Sequence, residues 1–359
     1  MNIITNKIPT ITVKSEIKKV SETNPLIKDV VCLIGCFEDT ETLNEPTFCE
    51  TLTAAETIFG SDDQYDGNAA LKQIFANDIS GCLIVNCTSV TGTGNDATVS
   101  RTLTQAKIEA ALALIELIDF DILYCAVELA DGMIDKIAPF CADRFEGKRP
   151  CGYVGAGSRA SAAAYTTTAG KLGDWCYGFI TQSVTVGTDE LSLLETGAYL
   201  TNIIATLPVG NSLTAKILED VTAIGTSYTY GASDLGTTLV EQGFIVLRLT
   251  DALNNTFEVI NSANHNGLDL YISRVRDYIV NDFALRDFLG ERSNNVTLDL
   301  ISLECARIYN KFTDELGLIE DMTYVIEKEN PSTVNVIINE LAFAGVITDL
   351  NVYFTIEVV

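Results

Sequence analysis

The stretch "KDVVCLIGCF" (residues 28–37) is apolar on both of its alternating faces. A run of the same kind, "GCLIVNC" (81–87), follows two helix-patterned segments, "TAAETIFG" (53–60) and "GNAALKQIFAND" (67–78). A strand wetted on one side alternates apolar with polar residues, whereas a strand apolar throughout is covered on both faces, as in a mostly parallel sheet. Strand, helix and strand in this order predict a right-handed crossover. The alternation continues with a helix over 102–119, strand "FDILYCAVE" (120–128), a helix over 131–143, strand "CGYVGAG" (151–157), an Ala-rich helix over 158–172 and strand "WCYGFI" (175–180). A further helix is expected within "TDELSLLETGAYLTNIIATLPVG" (188–210), with Thr188 and Leu191 near its start and Pro208 beyond its end.

From 209 to 235 the texture turns to Gly, Ser, Thr and Tyr, which predicts a loop or domain junction. After "TTLVEQGFIVLRLTD" (237–251) and a loop over 254–269, helices are expected at 268–289 and 298–316, then strands "MTYVIEKEN" (322–330) and "STVNVIINELAF" (332–343). The closing "DLNVYFTIEVV" (349–359) places Leu350, Val352, Phe354, Ile356 and Val358 on one face of a strand. Near the other end, "KIPTITVKS" (7–15) places Ile11 and Val13 on one face, with Pro9 at the strand's start or on a free edge. Alternation of this kind suits a strand that adds to the edge of another sheet, where main-chain groups bind and alternate side chains fill pockets. The recipient edge is expected to be built from 323–330 and 333–343.

At 359 residues and 47% hydrophobic content the chain has material for two cores. Its 49 acidic residues against 23 basic ones, a net charge of −26, argue against nucleic acid or an anionic membrane surface as a partner. No apolar run reaches the roughly 18 residues of a membrane span, and "MNIITNKIPTITVKSEIKK" has no signal-like apolar core, so a cytoplasmic product is expected. The ten cysteines are then expected to be reduced, small buried hydrophobes.

The most suggestive chemical motif is "YVGAGSRASAAA" (153–164), in which Gly155, Gly157 and Ala160 form GxGxxA between a strand and a helix. That arrangement lets backbone amides approach a pyrophosphate. The strand is not the first of the sheet, however, and the acidic residue about 20 positions on is Asp174, which begins a strand instead of ending one. A tight turn with close helix packing fits the same glycines. His265 is the only histidine and there is no CxxC pair, so no metal site is predicted; no GxSxG marks a nucleophile. No catalytic constellation and no cofactor are expected. The helix over 298–316 has an apolar stripe of Ile301, Cys305, Ile308, Tyr309, Phe312 and Leu316, with Arg307 and Lys311 on the opposite side as a possible docking pair.

The C-terminal third resembles the contractile tail sheath proteins. "SRVRDYIVNDFALRDFLGERSNN" (273–295) is similar to their R-R-x-x-D-Y-I … F-x-G-x-x-N segment, and "LGLIEDMTYVI" (316–326) to the G-x-I turn before their terminal strands. "GAYLTNIIATLPVGNSLTAKILEDV" (197–221), "LVEQGFIVLRLTD" (239–251) and "ETLTAAETIFGSDDQYDGNAALKQIFAND" (50–78) resemble further sheath segments in the same order. The collinear set carries the resemblance, which touches most of the chain.

The resemblance implies an outer α/β domain with a mostly parallel sheet (23–235) and a C-terminal α+β sheath domain (236–346). These are flanked by extended N- and C-terminal strand arms, 1–22 and 347–359. It implies a structural subunit that polymerises with its own copies around an inner tube protein, between baseplate and terminator proteins, and contracts to drive the tube through a target envelope. It further implies assembly in the bacterial cytoplasm and release as a phage tail or an R-type, diffocin-like bacteriocin, without nucleotide, metal, nucleic-acid binding or membrane insertion. The arms, with Ile11, Val13, Leu350, Val352, Phe354, Ile356 and Val358, would join neighbouring subunits, and Arg307 and Lys311 would meet the tube. Two other expectations stand beside this one: a Rossmann-like nucleotide-dependent enzyme using Gly155, Gly157 and Ala160, and a closed strand-exchanging ring that does not contract.

Overall fold

The apolar runs become the strands of one central sheet. The computed structural model describes residues 29–40, 42–92, 98–251, 253, 255–283, 298–330, 333–343 and 354–356. These form two compact units: one holds the described residues up to Leu207 with Ser212–Ser273, the other Pro208–Asn211 with the described residues from Arg274 on.

The first unit begins with β1 (Val31–Gly35), β2 (Thr47–Cys49), α1 (Leu52–Phe59), α2 (Asp66–Ile74) and β3 (Cys82–Asn86). An exposed hairpin of β4 (Ser89–Thr91) and β5 (Thr98–Ser100) leads to α3 (Gln105–Ile115), β6 (Ile122–Cys125), α4 (Asp131–Glu146), β7 (Gly152–Ala156), α5 (Ala162–Leu172) and β8 (Cys176–Ile180). The sheet order is β2-β3-β1-β6-β7-β8, parallel except for β2, which runs antiparallel to β3. Every residue of the five parallel strands is buried.

Alternate side chains enter two cores. Val31, Leu33, Ile84 and Ile122 point into one, with Phe59 of α1 and Leu71 and Ile74 of α2; Cys32, Ile34, Val85 and Leu123 point into the other, with Ile108, Ile137 and Leu172 from α3, α4 and α5. All ten cysteines are free and buried. Burial pushes the thiols of Cys87 and Cys176 up to about 12, so they stay protonated and behave as small apolar side chains.

The unit continues through β9 (Val184–Val186), β10 (Asp189–Glu190), α6 (Leu193–Thr206), β11 (Ile217–Leu218), β12 (Val221–Ile224), α7 (Leu235–Glu241), β13 (Leu247–Asp251) and β14 (Thr256–Val259). Two small antiparallel sheets result, β10-β9-β12 and β11-β14-β13. The stretches expected as loops at 209–235 and 254–269 therefore carry β11, β12 and β14. Helix α6 starts later than Thr188 and Leu191 suggest. Ser192 caps it: its hydroxyl accepts from the Glu195 amide at 3.2 Å while the Glu195 carboxylate accepts from the Ser192 amide at 2.8 Å. Along α6, Asn202 is fully buried and its amide donates to the carbonyls of Ile74 (2.7 Å) and Asn77 (3.2 Å), satisfying acceptors left over at the end of α2.

The second unit holds α8 (Leu270–Phe283) from Arg274 on, α9 (Leu298–Asn310), a wide helical turn over Lys311–Glu315, and the strands β15 (Ile319–Asn330), β16 (Thr333–Phe343) and β17 (Phe354–Ile356). The strands form an antiparallel sheet in the order β15-β16-β17. Phe283 of α8 packs its ring against Tyr324 of β15, centroids 5.8 Å apart. The part of the helix expected over 284–289 lies outside the described residues.

Replacing Asn202 by Ala strands the buried Ile74 carbonyl and removes the bond to Asn77, so Asn202→Ala is expected to lower unfolding free energy by about 1–3 kcal/mol, visible as a lower urea midpoint at unchanged slope. A loss below about 0.5 kcal/mol would mean that water or a shifted side chain takes over those carbonyls.

Candidate functional site

Three features bear on function: the edge of the β15-β16-β17 sheet, the outer face of α9, and the β7–α5 turn.

In the sheet, β16 lies between the long β15 and the three-residue β17. Val336, Ile338 and Leu341 of β16 are buried, as is Met322 of β15. Phe354 stands opposite Leu341 and Ile356 opposite Ile338. Two of the residues expected in the C-terminal arm therefore pair with their own chain's β16, at the edge expected to receive such a strand. Ile11, Val13, Leu350, Val352 and Val358 lie outside the described residues.

On α9 the apolar stripe faces inward: Ile301, Cys305, Ile308, Phe312 and Leu316 are buried, and Tyr309, half-buried, donates its hydroxyl to Asp321 at 3.1 Å. Arg307 stands outside, forked onto Glu304 with Nε at 2.9 Å and Nη2 at 2.6 Å from one carboxylate oxygen. That hydrogen bond holds the Glu304 carboxyl below its ordinary range. Lys311 is half-buried, 2.5 Å from Asp282 of α8 and over the Phe312 ring. The two cations therefore do not form one exposed pair, and each is matched by a carboxylate. What the face presents beside Arg307 is apolar: Leu300 and Leu303, seven and four positions before it, are exposed, Leu303 by 68%. Periodicity marked these leucines only by their absence from the inward stripe.

At the β7–α5 turn the glycines serve packing. A Cβ on Gly155 would lie 2.7 Å from Phe179 and 2.9 Å from Leu129, and one on Gly157 would meet the Leu129 carbonyl at 3.2 Å. The Arg159 guanidinium is fully engaged at the turn, donating to the Leu129 carbonyl (2.7 Å), the Ser158 carbonyl (2.9 Å), the Thr168 hydroxyl (2.8 Å) and the Asp131 carboxylate (3.0 Å). The turn's amides are also taken, Gly157 N–H by Ile180, Arg159 N–H by the Tyr165 hydroxyl, and Ala164 N–H by the Ser161 cap. Burial acts to raise the Asp131 pKa, but the hydrogen bonds from Thr168 and Arg159 outweigh it and hold the carboxyl below its ordinary range. The backbone groups beyond the carboxyl end of β1 are taken too. Asn68 bonds the Glu38 amide there, Thr88 the Phe37 amide, and Arg101 the Phe37 and Glu38 carbonyls.

Among the described residues, no group of three or more His, Cys, Asp or Glu is placed to hold a metal. His265 is half-buried in its loop, where burial lowers its pKa against the opposing pull of Asp174.

No protein-family model matches the chain, and no curated protein matches it in sequence. Solved structures do match. A sheath tail protein from Desulfitobacterium hafniense superposes with a TM-score of 0.66 at 14% identity, over 97% of this chain and 100% of that one. The chain has the fold of the sheath tail proteins. A second, from Listeria innocua, gives a TM-score of 0.67 at 13% identity over 92% and 94% of the two chains. The helical sheath of the anti-feeding prophage in its contracted state gives 0.56 at 14% identity over 98% and 99%. The parallel sheet, the two small antiparallel sheets and the C-terminal unit thus all fall within the span shared with these sheath proteins.

Gly155→Ala is expected to destabilise the chain by about 1–3 kcal/mol through overpacking. Millimolar ATP or NAD should leave the melting temperature of both parent and variant unchanged. Stabilisation of the parent by nucleotide, lost in the variant, would revive the enzyme alternative. The Asp131 carboxyl titrates lower in the folded chain than unfolded. Its contribution is therefore complete above about pH 4 and fades as pH falls through the depressed folded value, and Asp131→Asn should remove that component of the acid-unfolding curve.

Proposed function

We propose that the chain is the subunit of a contractile sheath: copies polymerise around an inner tube, and the lattice shortens to drive the tube through a target envelope. The observation that carries this reading is the end-to-end fold match with a helical sheath in its contracted state, 98% of this chain against 99% of that one.

Contraction requires subunits to move past one another without separating. Strand exchange meets that requirement, since a donated strand is held by several main-chain hydrogen bonds while the segment joining it to its own subunit absorbs the movement. The terminal arms, Ile11 and Val13 in 1–22 and Leu350, Val352, Phe354, Ile356 and Val358 in 347–359, are assigned this role, and the C-terminal sheath domain that of recipient. Arg307 and Lys311 are assigned to the tube face. Leu300 and Leu303 sharpen this assignment: an exposed apolar ridge next to an outward guanidinium is a better docking surface than two paired cations. Baseplate and terminator proteins are the partners at the two ends of the polymer. Assembly in the bacterial cytoplasm precedes release as part of a phage tail or an R-type bacteriocin. The work of contraction comes from free energy stored in the extended lattice, without nucleotide.

Truncation after Asp349 is expected to abolish tubular polymers in electron micrographs while leaving a folded, soluble monomer. Parent polymers should appear with two lengths and diameters; one fixed ring size would favour the non-contracting alternative. Reversing both charges, Arg307→Glu with Lys311→Glu, should weaken co-assembly with tube at least tenfold. If Leu303→Asp does so and the charge reversal does not, the apolar ridge rather than the cations makes the contact.

A further inference from the structure

One sheet edge in the second unit is occupied by the chain itself. β16 runs eleven residues, Thr333–Phe343, and the side not paired with β15 carries β17, which has only three, Phe354–Ile356. The match is irregular. Ile338 faces Ile356 and Leu341 faces Phe354, so three steps along β16 correspond to two along β17. A bulge of this kind leaves one residue of β16 without a ladder partner. Yet the alternating stretch in sequence is longer, running from Leu350 to Val358. Ten residues, 344–353, connect the two strands.

We propose that β17 is a self-cap: in the free subunit the chain's own C-terminal strand sits on the β16 edge, and the strand of a second copy must displace it before subunits join. The proposal rests on the strand-exchange reading above and adds to it an order of events. An open edge of eleven residues is a template for indiscriminate pairing, so a subunit waiting at low concentration is protected by covering it. The cover must also be removable, and a short, bulged pairing is weaker than a regular ladder along the same edge. A copy's strand reaches the edge without a ten-residue connection to that same edge.

Concentration decides which pairing forms. A short tether holds its strand at an effective concentration on the order of millimolar, so a competing strand on a micromolar subunit must bind about 10³-fold better to win half the edges. A growing polymer removes this handicap, because it holds edge and strand of adjacent copies at fixed positions. Subunits are therefore expected to stay monomeric until seeded, and then to add without delay.

The test is binding of a fluorescent peptide with the sequence of residues 350–359 to three proteins. These are the full chain, the chain truncated after Asp349, and the full-length double variant Phe354→Pro, Thr355→Pro, in which adjacent prolines remove a ladder donor whichever way the pleat faces. The truncated and proline forms should bind at least 100-fold more tightly than the parent. Equal binding by all three, or no binding by a truncated chain that keeps its far-ultraviolet circular dichroism, overturns the self-cap. If the parent forms sheaths but binds the peptide as tightly as the truncated form, only the self-cap fails. If the self-cap is found but no seed yields tubular polymers, only the sheath assignment fails.

Discussion

A strand at the end of a sheet leaves a row of main-chain donors and acceptors that something has to satisfy, and both units are arranged around that constraint. In the first unit the short antiparallel β2 closes the sheet beside β3. At the far end the amide of Ile245 donates to Phe179 of β8 at 2.9 Å, and the Gln182 side chain then takes over the part of a peptide group, accepting from the Leu247 amide at 2.8 Å. The β8 edge of the large sheet is thus partly covered from within the unit, and its other end is the three-residue β2. The eleven-residue edge of β16 is covered by only three residues of β17, in an irregular register.

Much of the fold was legible because the parallel strands are buried on both faces. Such runs as 31–35 and 82–86 admit no amphipathic reading, and the helices between them follow from the need to cover two faces. The small sheets were not legible. β11 and β12 have two and four residues, too few for a period-two signal, and β11 finds its partner about 40 positions away in β14. The start of α6 is written in the sequence as S-x-x-E at Ser192 and Glu195, four residues after the Thr188 that also reads as a cap.

The candidate sites show the same limit. Spacing put Gly155, Gly157 and Ala160 in a phosphate-binding pattern, but it says nothing of the Arg159 side chain that turns back and donates to the carbonyls of Ser158 and of the distant Leu129. It placed Arg307 and Lys311 on one side of a helix, yet could not show that Asp282, 29 positions before Lys311, meets that lysine. In a chain with 49 acidic residues, local carboxylates are the default partners of any cation, and an isolated basic pair is hard to keep. The exposed Leu300 and Leu303 are more informative, because apolar side chains on a solvent face have no such local answer.

The central claim is that the β16 edge is a shared element, held by the chain's own strand in isolation and by a neighbour's in the assembly. The most direct measurement is a cryo-electron-microscopy map of the polymer, with the main chain traced continuously from Phe343 to Phe354. The account predicts that the strand lying on each β16 is traced back to an adjacent copy. A strand traced back to the same copy, in a polymer that holds together without it, would contradict the account.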